Sequence, residues 1–242
     1  MNLIIDIGNT RLKWAILQGD GLLVSHALLN HEITQQQLIA IWRLQPVPEK
    51  LAIACVGSAS LLELVTKVAV KLWPTVYIHY VTSKSDALGV YNAYQSPEKL
   101  GVDRWLALVA VRYFYQCSAC VVDCGTAITI DLIDVNGRHQ GGFINPGLML
   151  MRKSLSIGTA RLPSNETDYE VGPANCTQAA IYSGTLFAAV GLIEHVVRQH
   201  TNGSQLILTG GDAEVVAAQL KNKLIIDNDL VLRGLVVVLE SQ

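Results

Sequence analysis

Residues 3–17, LIIDIGNTRLKWAIL, set an apolar run before Asp6, a Gly8-Asn9-Thr10 turn, and then a second run of alternating character. The pattern predicts a β-hairpin whose tight turn carries Asp, Gly and Thr. Residues 120–134, CVVDCGTAITIDLID, repeat it, with Asp123 ahead of Gly125-Thr126 and a strand in which Thr129 and Asp131 alternate with Ile128, Ile130 and Leu132. That alternation predicts a half-buried strand. Asp6 and Asp123 are separated by nearly half of the 242 residues, the spacing a duplicated architecture with two like halves would give.

Outward from the two hairpins, strands alternate with helices. Leu38, Ile41 and Trp42 form an apolar stripe over residues 34–44, with Thr34 as N-cap, and residues 58–72 continue the helical pattern until Trp73-Pro74 closes it. Residues 53–57 and 76–81 read as strands. In the second half, residues 175–200 read as one long helix or a broken pair. Strand 205–209 meets Gly210-Gly211-Asp212 and opens helix 213–221, and an apolar run over 230–239 follows. The class is α/β, and the hairpin-first order favours two mixed sheets over one doubly wound sheet. The boundary falls near residues 114–119, giving domains 1–116 and 117–242, with the last helix able to pack back on the first domain.

Composition narrows the function classes. Half of the residues are hydrophobic and 16% are charged, which favours a compact globular chain over a disordered one. The net charge is −2 and the Lys and Arg residues are scattered, so a nucleic acid or an anionic membrane surface is not the expected partner. Asp6 interrupts the first apolar run too early for a secretory signal, and no uninterrupted apolar stretch reaches about 18 residues, so a cytoplasmic protein is expected. Five dispersed cysteines (55, 117, 120, 124 and 176) suit a reducing compartment. Cys117, Cys120 and Cys124 lack a fourth ligand at zinc spacing and read as core residues. The six histidines form no metal-binding spacing and read as structural or exposed.

The hairpin turns carry the chemistry. Glycine lets the backbone approach an oxyanion and adopt φ values that other residues resist. Successive N–H groups and the Thr10 hydroxyl can then point at phosphate oxygens. Asp6 at the strand end is placed to hold Mg²⁺, directly or through water, and Lys13 adds positive charge. One Asp-x-Gly turn is an ordinary hairpin. Two copies, followed by Thr209-Gly210-Gly211-Asp212 where the backbone could lie flat against an adenine or ribose, resemble the actin-like ATPase superfamily.

Further motifs narrow the resemblance. Tyr94, Pro97 and Gly101-Val102-Asp103-Arg104 precede a helix, Gly141-Gly142-Phe143-Ile144-Asn145-Pro146-Gly147 follows the second hairpin, and Thr159-Ala160-Arg161-Leu162-Pro163 ends the next segment. With DIGNT and DCGTAIT, this set is similar to the type III pantothenate kinases over nearly the whole chain. The resemblance implies ATP-dependent phosphorylation of pantothenate, the first step toward coenzyme A. It implies two actin-like (ribonuclease H-like) domains with mixed sheets flanked by helices and an ATP cleft between them. It also implies a homodimer, and a need for Mg²⁺ and for K⁺ or ammonium. Carried over by position, it implies an ATP-binding turn at Asp6, Ile7, Gly8, Asn9, Thr10, Arg11, Leu12 and Lys13, with a second ATP contact at Thr126. Tyr94, Gly101, Val102, Asp103, Arg104 and Thr177 correspond to the pantothenate site, Asp103 to the proton acceptor, and Asp123 to the monovalent-cation ligand.

Local chemistry leaves alternatives beside these roles. Ser96-Pro97-Glu98 looks like an N-cap, N1 and acidic first turn, and Asp103 could simply complement a second helix N-terminus. Arg104 could bind an acidic substrate group or form a surface salt bridge. Asp6 and Asp123 occupy equivalent places, and two carboxylates facing one polyphosphate require an intervening cation. The alternatives at the level of function are a nucleotide-dependent switch and a kinase for another small hydroxy acid or sugar. Residues 105–115 and 181–193 are the expected source of exposed apolar positions for a dimer contact.

Overall fold

The fold is that of a computed structural model in which residues 1–18, 21–22, 25–158, 168–201 and 203–241 are described. β1 (Asn2–Ile7) and β2 (Arg11–Gln18) pair antiparallel, with Ile7 opposite Leu12 and Asp6 opposite Lys13. β3 (Gly21–Leu22) and β4 (His26–Leu29) both pair with β2. Thr34 caps α1 (Gln35–Trp42), its Oγ1 accepting the Gln37 N–H at 3.2 Å. β5 (Lys50–Cys55) then runs parallel to β1, and α2 (Ala59–Leu72) starts at Ser58, whose Oγ accepts the Leu61 N–H. β6 (Tyr77–Tyr80) adds parallel to β5.

β7 (Asp86–Ala87) and β8 (Val90–Tyr91) form a small ribbon whose turn holds Leu88 at φ +55° and Gly89 at φ +74°. α3 (Val102–Ala110) continues as a wider turn over Val111–Tyr115 and stops at Gln116, which is left-handed at φ +50°. The chain divides there. Met1–Gln116 and Asp229–Gln242 make one unit, and Cys117–Asn228 the other.

The second unit holds β9 (Ala119–Cys124), β10 (Ala127–Ile133), β11 (His139–Pro146), α4 (Leu148–Gly158), α5 (Thr177–His200), β12 (Gln205–Thr209), α6 (Ala213–Ala217) and β13 (Leu224–Ile226). Its sheet order, β11-β10-β9-β12-β13, matches β3-β2-β1-β5-β6 in the first unit. In each, an antiparallel hairpin comes first and two parallel strands are added on the far side of its first strand. The two halves are alike in topology as well as in their turns.

In the first unit, β1 is covered on both faces. Leu3, Ile5 and Ile7 join Leu38, Trp42, Val65 and Trp73 in one cluster beneath α1 and α2. Trp42 stacks on Trp73 at 6.0 Å and meets Trp14 edge-on at 6.3 Å. α7 (Leu230–Glu240) packs against β1, β5 and α3 from the other side. A Cβ at Gly234 would collide with the Leu106 carbonyl, so glycine lets α7 and α3 approach backbone to backbone. In the second unit, Val122, Ile128 and Ile130 pack with Tyr182, Leu186, Ala189 and Ile193 of α5. α5 is long and apolar enough to cross a membrane by length and composition, but its buried side chains belong to this core.

Several expectations are corrected. Asp131 is 3% exposed, not on a polar face, because it hydrogen-bonds His139 Nε2 at 2.9 Å. Of the two readings of residues 175–200, the single long helix holds, whereas α6 ends at Ala217, four residues short of 221. Trp105–Val111 are buried, leaving Tyr113 and Phe114 as the exposed aromatic residues of 105–115. Ser96 makes no side-chain cap, and only a short 3₁₀ turn, Pro97–Lys99, follows it. Cys120 and Cys124 are buried as expected, whereas Cys117 is half-buried in the connection before β9. The motif 159–163 lies outside the described residues.

Candidate active site

The first turn is fixed from three sides. Gly8 N–H donates to the Arg11 carbonyl at 3.0 Å and closes the hairpin, so this amide is used within the fold. Gly8 lacks a positive φ, contrary to the conformational argument for glycine; the reason for Gly8 is space, since a Cβ would lie 3.1 Å from the Arg11 oxygen. After β5, the Val56 and Gly57 amides both donate to the Ile7 carbonyl at 3.0 Å. A Cβ on Gly57 would collide with the Gly8 carbonyl oxygen. From the end of β4, Asn30 Nδ2 donates to the Gly8 and Asn9 carbonyls at 2.9 and 3.0 Å, and Asn30 N–H to the Thr10 carbonyl at 2.9 Å. Asn9, Thr10 and Arg11 are exposed at the tip, Asp6 and Lys13 are half-buried cross-strand neighbours, and Ile7 and Leu12 are wholly buried. Ile7 and Leu12 can therefore meet a nucleotide only through their backbone.

The second turn repeats this construction. Gly125 N–H donates to the Ala127 carbonyl at 3.1 Å, again with no positive φ. Gly147 N–H donates to the Thr126 carbonyl at 3.0 Å, and a Cβ at Gly147 would collide with the Gly125 and Thr126 carbonyls. Gly210, at φ +96°, lies under Asp123, where a Cβ would strike the carboxylate and the Cys124 backbone. The Asp212 amide donates to the Cys124 carbonyl at 2.9 Å. By strand register Gly57 corresponds to Asp212, each amide donating to the carbonyl just before the turn glycine, whereas Gly210 falls at the position of Cys55. Asn30 and Gly57 were missed in the sequence, although VGS at 56–58 and TGG at 209–211 both follow a strand and precede a helix.

Charge gathers on the second turn. Burial, with the charges of Asp123 and Asp212 added, pushes the Cys124 thiol far above its ordinary range. Asp123 precedes Cys124 at the end of β9 and the Asp212 amide bonds the Cys124 carbonyl, so both residues sit at the same strand end. Among the described residues no group of three or more His, Cys, Asp or Glu could hold a metal ion alone. That donor set fits hard cations bound through one or two carboxylates and completed by water and phosphate oxygens.

The start of α3 brings the acceptor-site candidates together. Asp103 Oδ1 accepts the Arg104 N–H at 2.8 Å, and a Cβ on Gly101 would lie only 2.5 Å from that oxygen. The carboxylate thus folds back over the position where only glycine leaves room. Arg104 is 6% exposed, so it is not a surface salt bridge. Its Nη donates to the Tyr94 hydroxyl at 2.8 Å, and its guanidinium lies 5.6 Å from the Tyr94 ring centre. Val102 is buried, leaving its backbone for any contact. Thr177 is the exposed first residue of α5 in the second unit, after Cys176, which gives no side-chain cap.

Comparison with known proteins specifies the family. The sequence pattern of the type III pantothenate kinases matches residues 2–199. A type III pantothenate kinase from Nitrosococcus oceani is 38% identical, the alignment spanning 97% of this chain and 92% of the relative. Among solved structures, a Campylobacter jejuni protein assigned to a Baf family of transcriptional activators superposes with a TM-score of 0.62 at 24% identity, covering 99% of this chain and 98% of that one. A Sinorhizobium meliloti protein described as a 2-dehydro-3-deoxygalactonokinase gives 0.59 at 12% identity, covering 100% and 99%. At such identities the structures speak for the fold alone, two actin-like units of mixed sheet and flanking helices. The full-length family match, on a fold with both glycine-boxed turns, shows that this chain belongs to the type III pantothenate kinases.

Proposed function

We propose that this protein transfers the γ-phosphoryl group of ATP to the primary hydroxyl of pantothenate, giving 4′-phosphopantothenate and ADP. The observation that carries the reading is the assembly of Tyr94, Asp103 and Arg104 around the start of α3, in a chain that matches the family from residue 2 to residue 199. Phosphoryl transfer needs in-line positioning and countercharge more than covalent help from the protein. The Asn9 and Thr10 N–H groups and the Thr10 hydroxyl at the tip of the 6–13 turn, with Lys13, are assigned to the ATP phosphates, and Thr126 to a second ATP contact. Mg²⁺, when bound through Asp6 and water, supplies countercharge to the polyphosphate. Asp123 is assigned to a K⁺ or ammonium ion.

Asp103 orients the substrate hydroxyl and takes up its proton as the oxygen attacks phosphorus. Arg104, buried and steadied by the Tyr94 hydroxyl, meets the pantothenate carboxylate; a desolvated guanidinium binds carboxylate far better than an exposed one. Gly101 and Val102 contribute backbone, and Thr177 a further contact. The enzyme is a cytoplasmic homodimer. Its proposed contact surface is the face of α5 on which Ala180, Gly184, Phe187, Ala188 and Gly191 are exposed, because small residues let two helices approach closely.

ADP release measured with pantothenate and with a panel of sugars and hydroxy acids tests the substrate. Turnover confined to pantothenate, and dependent on Mg²⁺ with K⁺ or ammonium, is expected. Slow hydrolysis with no acceptor preference would instead indicate a nucleotide switch, and full activity in sodium-only buffer would remove the monovalent site.

A further inference from the structure

Asn30 lies outside every motif of the chain, yet it holds the first phosphate turn with three hydrogen bonds. Its Nδ2 bridges the Gly8 and Asn9 carbonyls, and its backbone N–H takes the Thr10 carbonyl. In a trans peptide the C=O of one residue and the N–H of the next point in opposite directions, and among the described residues there is no cis peptide bond. Pinning the Gly8 and Asn9 oxygens therefore sets the directions of the Asn9 and Thr10 N–H groups. The orientation of the Asn30 amide follows from the same contacts, since the reverse would place its oxygen against two carbonyl oxygens.

Two further observations separate this arrangement from ordinary loop packing. Asn30 Oδ1 is buried with no hydrogen-bond partner among the described residues, which is unfavourable for stability. The Gly8 carbonyl is also confined by Gly57, where a Cβ would collide with it. The peptide unit that must face a phosphate is thus held between a side-chain amide and a bare glycine. The stabilisation from the two Nδ2 bonds is offset by the partnerless Oδ1, so fold stability alone accounts poorly for asparagine here.

We propose that Asn30 is a positioning residue for ATP: it presets the 8–10 peptide groups for the polyphosphate without touching the nucleotide. This rests on the kinase reading above. The test is Asn30→Asp, nearly isosteric but placing an oxygen against both carbonyls, together with Asn30→Ala. Calorimetric titration with Mg-ADP and steady-state kinetics for both substrates are measured beside thermal unfolding.

Affinity for Mg-ADP is expected to fall about tenfold or more in both variants, the effect of losing two hydrogen bonds. KM for ATP should rise in parallel, while KM for pantothenate and the unfolding midpoint stay near wild type. Wild-type Mg-ADP affinity in a folded Asn30→Asp protein would overturn the proposal. So would an equal loss for both substrates with a lowered unfolding midpoint, since that describes a structural residue. If the wild-type protein itself fails to bind Mg-ADP, the kinase reading fails first, and the two failures are distinguishable.

Discussion

The Asp103 carboxylate folds back so closely that a methyl group on Gly101 would lie 2.5 Å from Oδ1. Gly101→Ala must push that oxygen aside or shift the first turn of α3. Because Gly101 is the N-cap of α3 and already has a negative φ of −52°, alanine is tolerated by the backbone itself. The expected result is a folded protein whose kcat falls about tenfold or more, as a small misplacement of a reacting group can cause. Circular dichroism and steady-state kinetics check it, and wild-type kcat would show that the carboxylate position does not matter. This pairing was only half legible in the sequence. Gly101 and Asp103 stood in one motif, but the contact between them depends on the backbone at 101. Asn30 was not legible at all, because its partners lie some twenty positions away and are carbonyl groups, which carry no side-chain signature. The polar face expected for Asp131 failed for a related reason. A buried histidine partner overrides the alternation of the strand.

The hairpins, the strands and the helices α1 and α2 of the first unit were readable from apolar periodicity and the Thr34 cap; the cap at Ser58 emerged only in the structure. Helix surfaces were less so. α3 looks amphipathic in isolation, yet Val102 and Arg104–Val111 are buried, because α7 returns from the far end of the chain to cover it. Local sequence cannot reveal that cover, although the glycine at 234 marks where it happens. α5 differs. Phe187 is 48% exposed in the middle of a helix whose opposite side forms the core of the second unit. If that face joins two copies, Phe187→Glu places a charge in an apolar contact and should convert the dimer to monomer. Light scattering after size-exclusion chromatography reads this directly. An unchanged dimer mass would move the contact to another surface.

Duplication is the organising fact of the whole molecule. Two sheets of the same order each end a hairpin in Asp-x-Gly, and each seats a glycine from the neighbouring parallel strand against that turn. The sequence echo of DIGNT and DCGT announced the first part, and both copies lie within the residues that match the family. The halves have diverged in what they add. The first supplies Asn30 and the Asp103 group; the second supplies Asp123, with Asp212 beside the same strand end. The central claim is that this construction delivers the γ-phosphoryl group to pantothenate with Asp103 managing the proton. It is tested most directly by following ³²P from γ-labelled ATP in wild type and Asp103→Asn, with calorimetric binding of both substrates as the control. The account predicts label in a pantothenate-derived product for wild type, and a loss of about 10²–10⁴-fold in that rate for Asp103→Asn with binding preserved. Label that accumulates only as inorganic phosphate, or an Asp103→Asn variant that labels pantothenate at the wild-type rate, would contradict it.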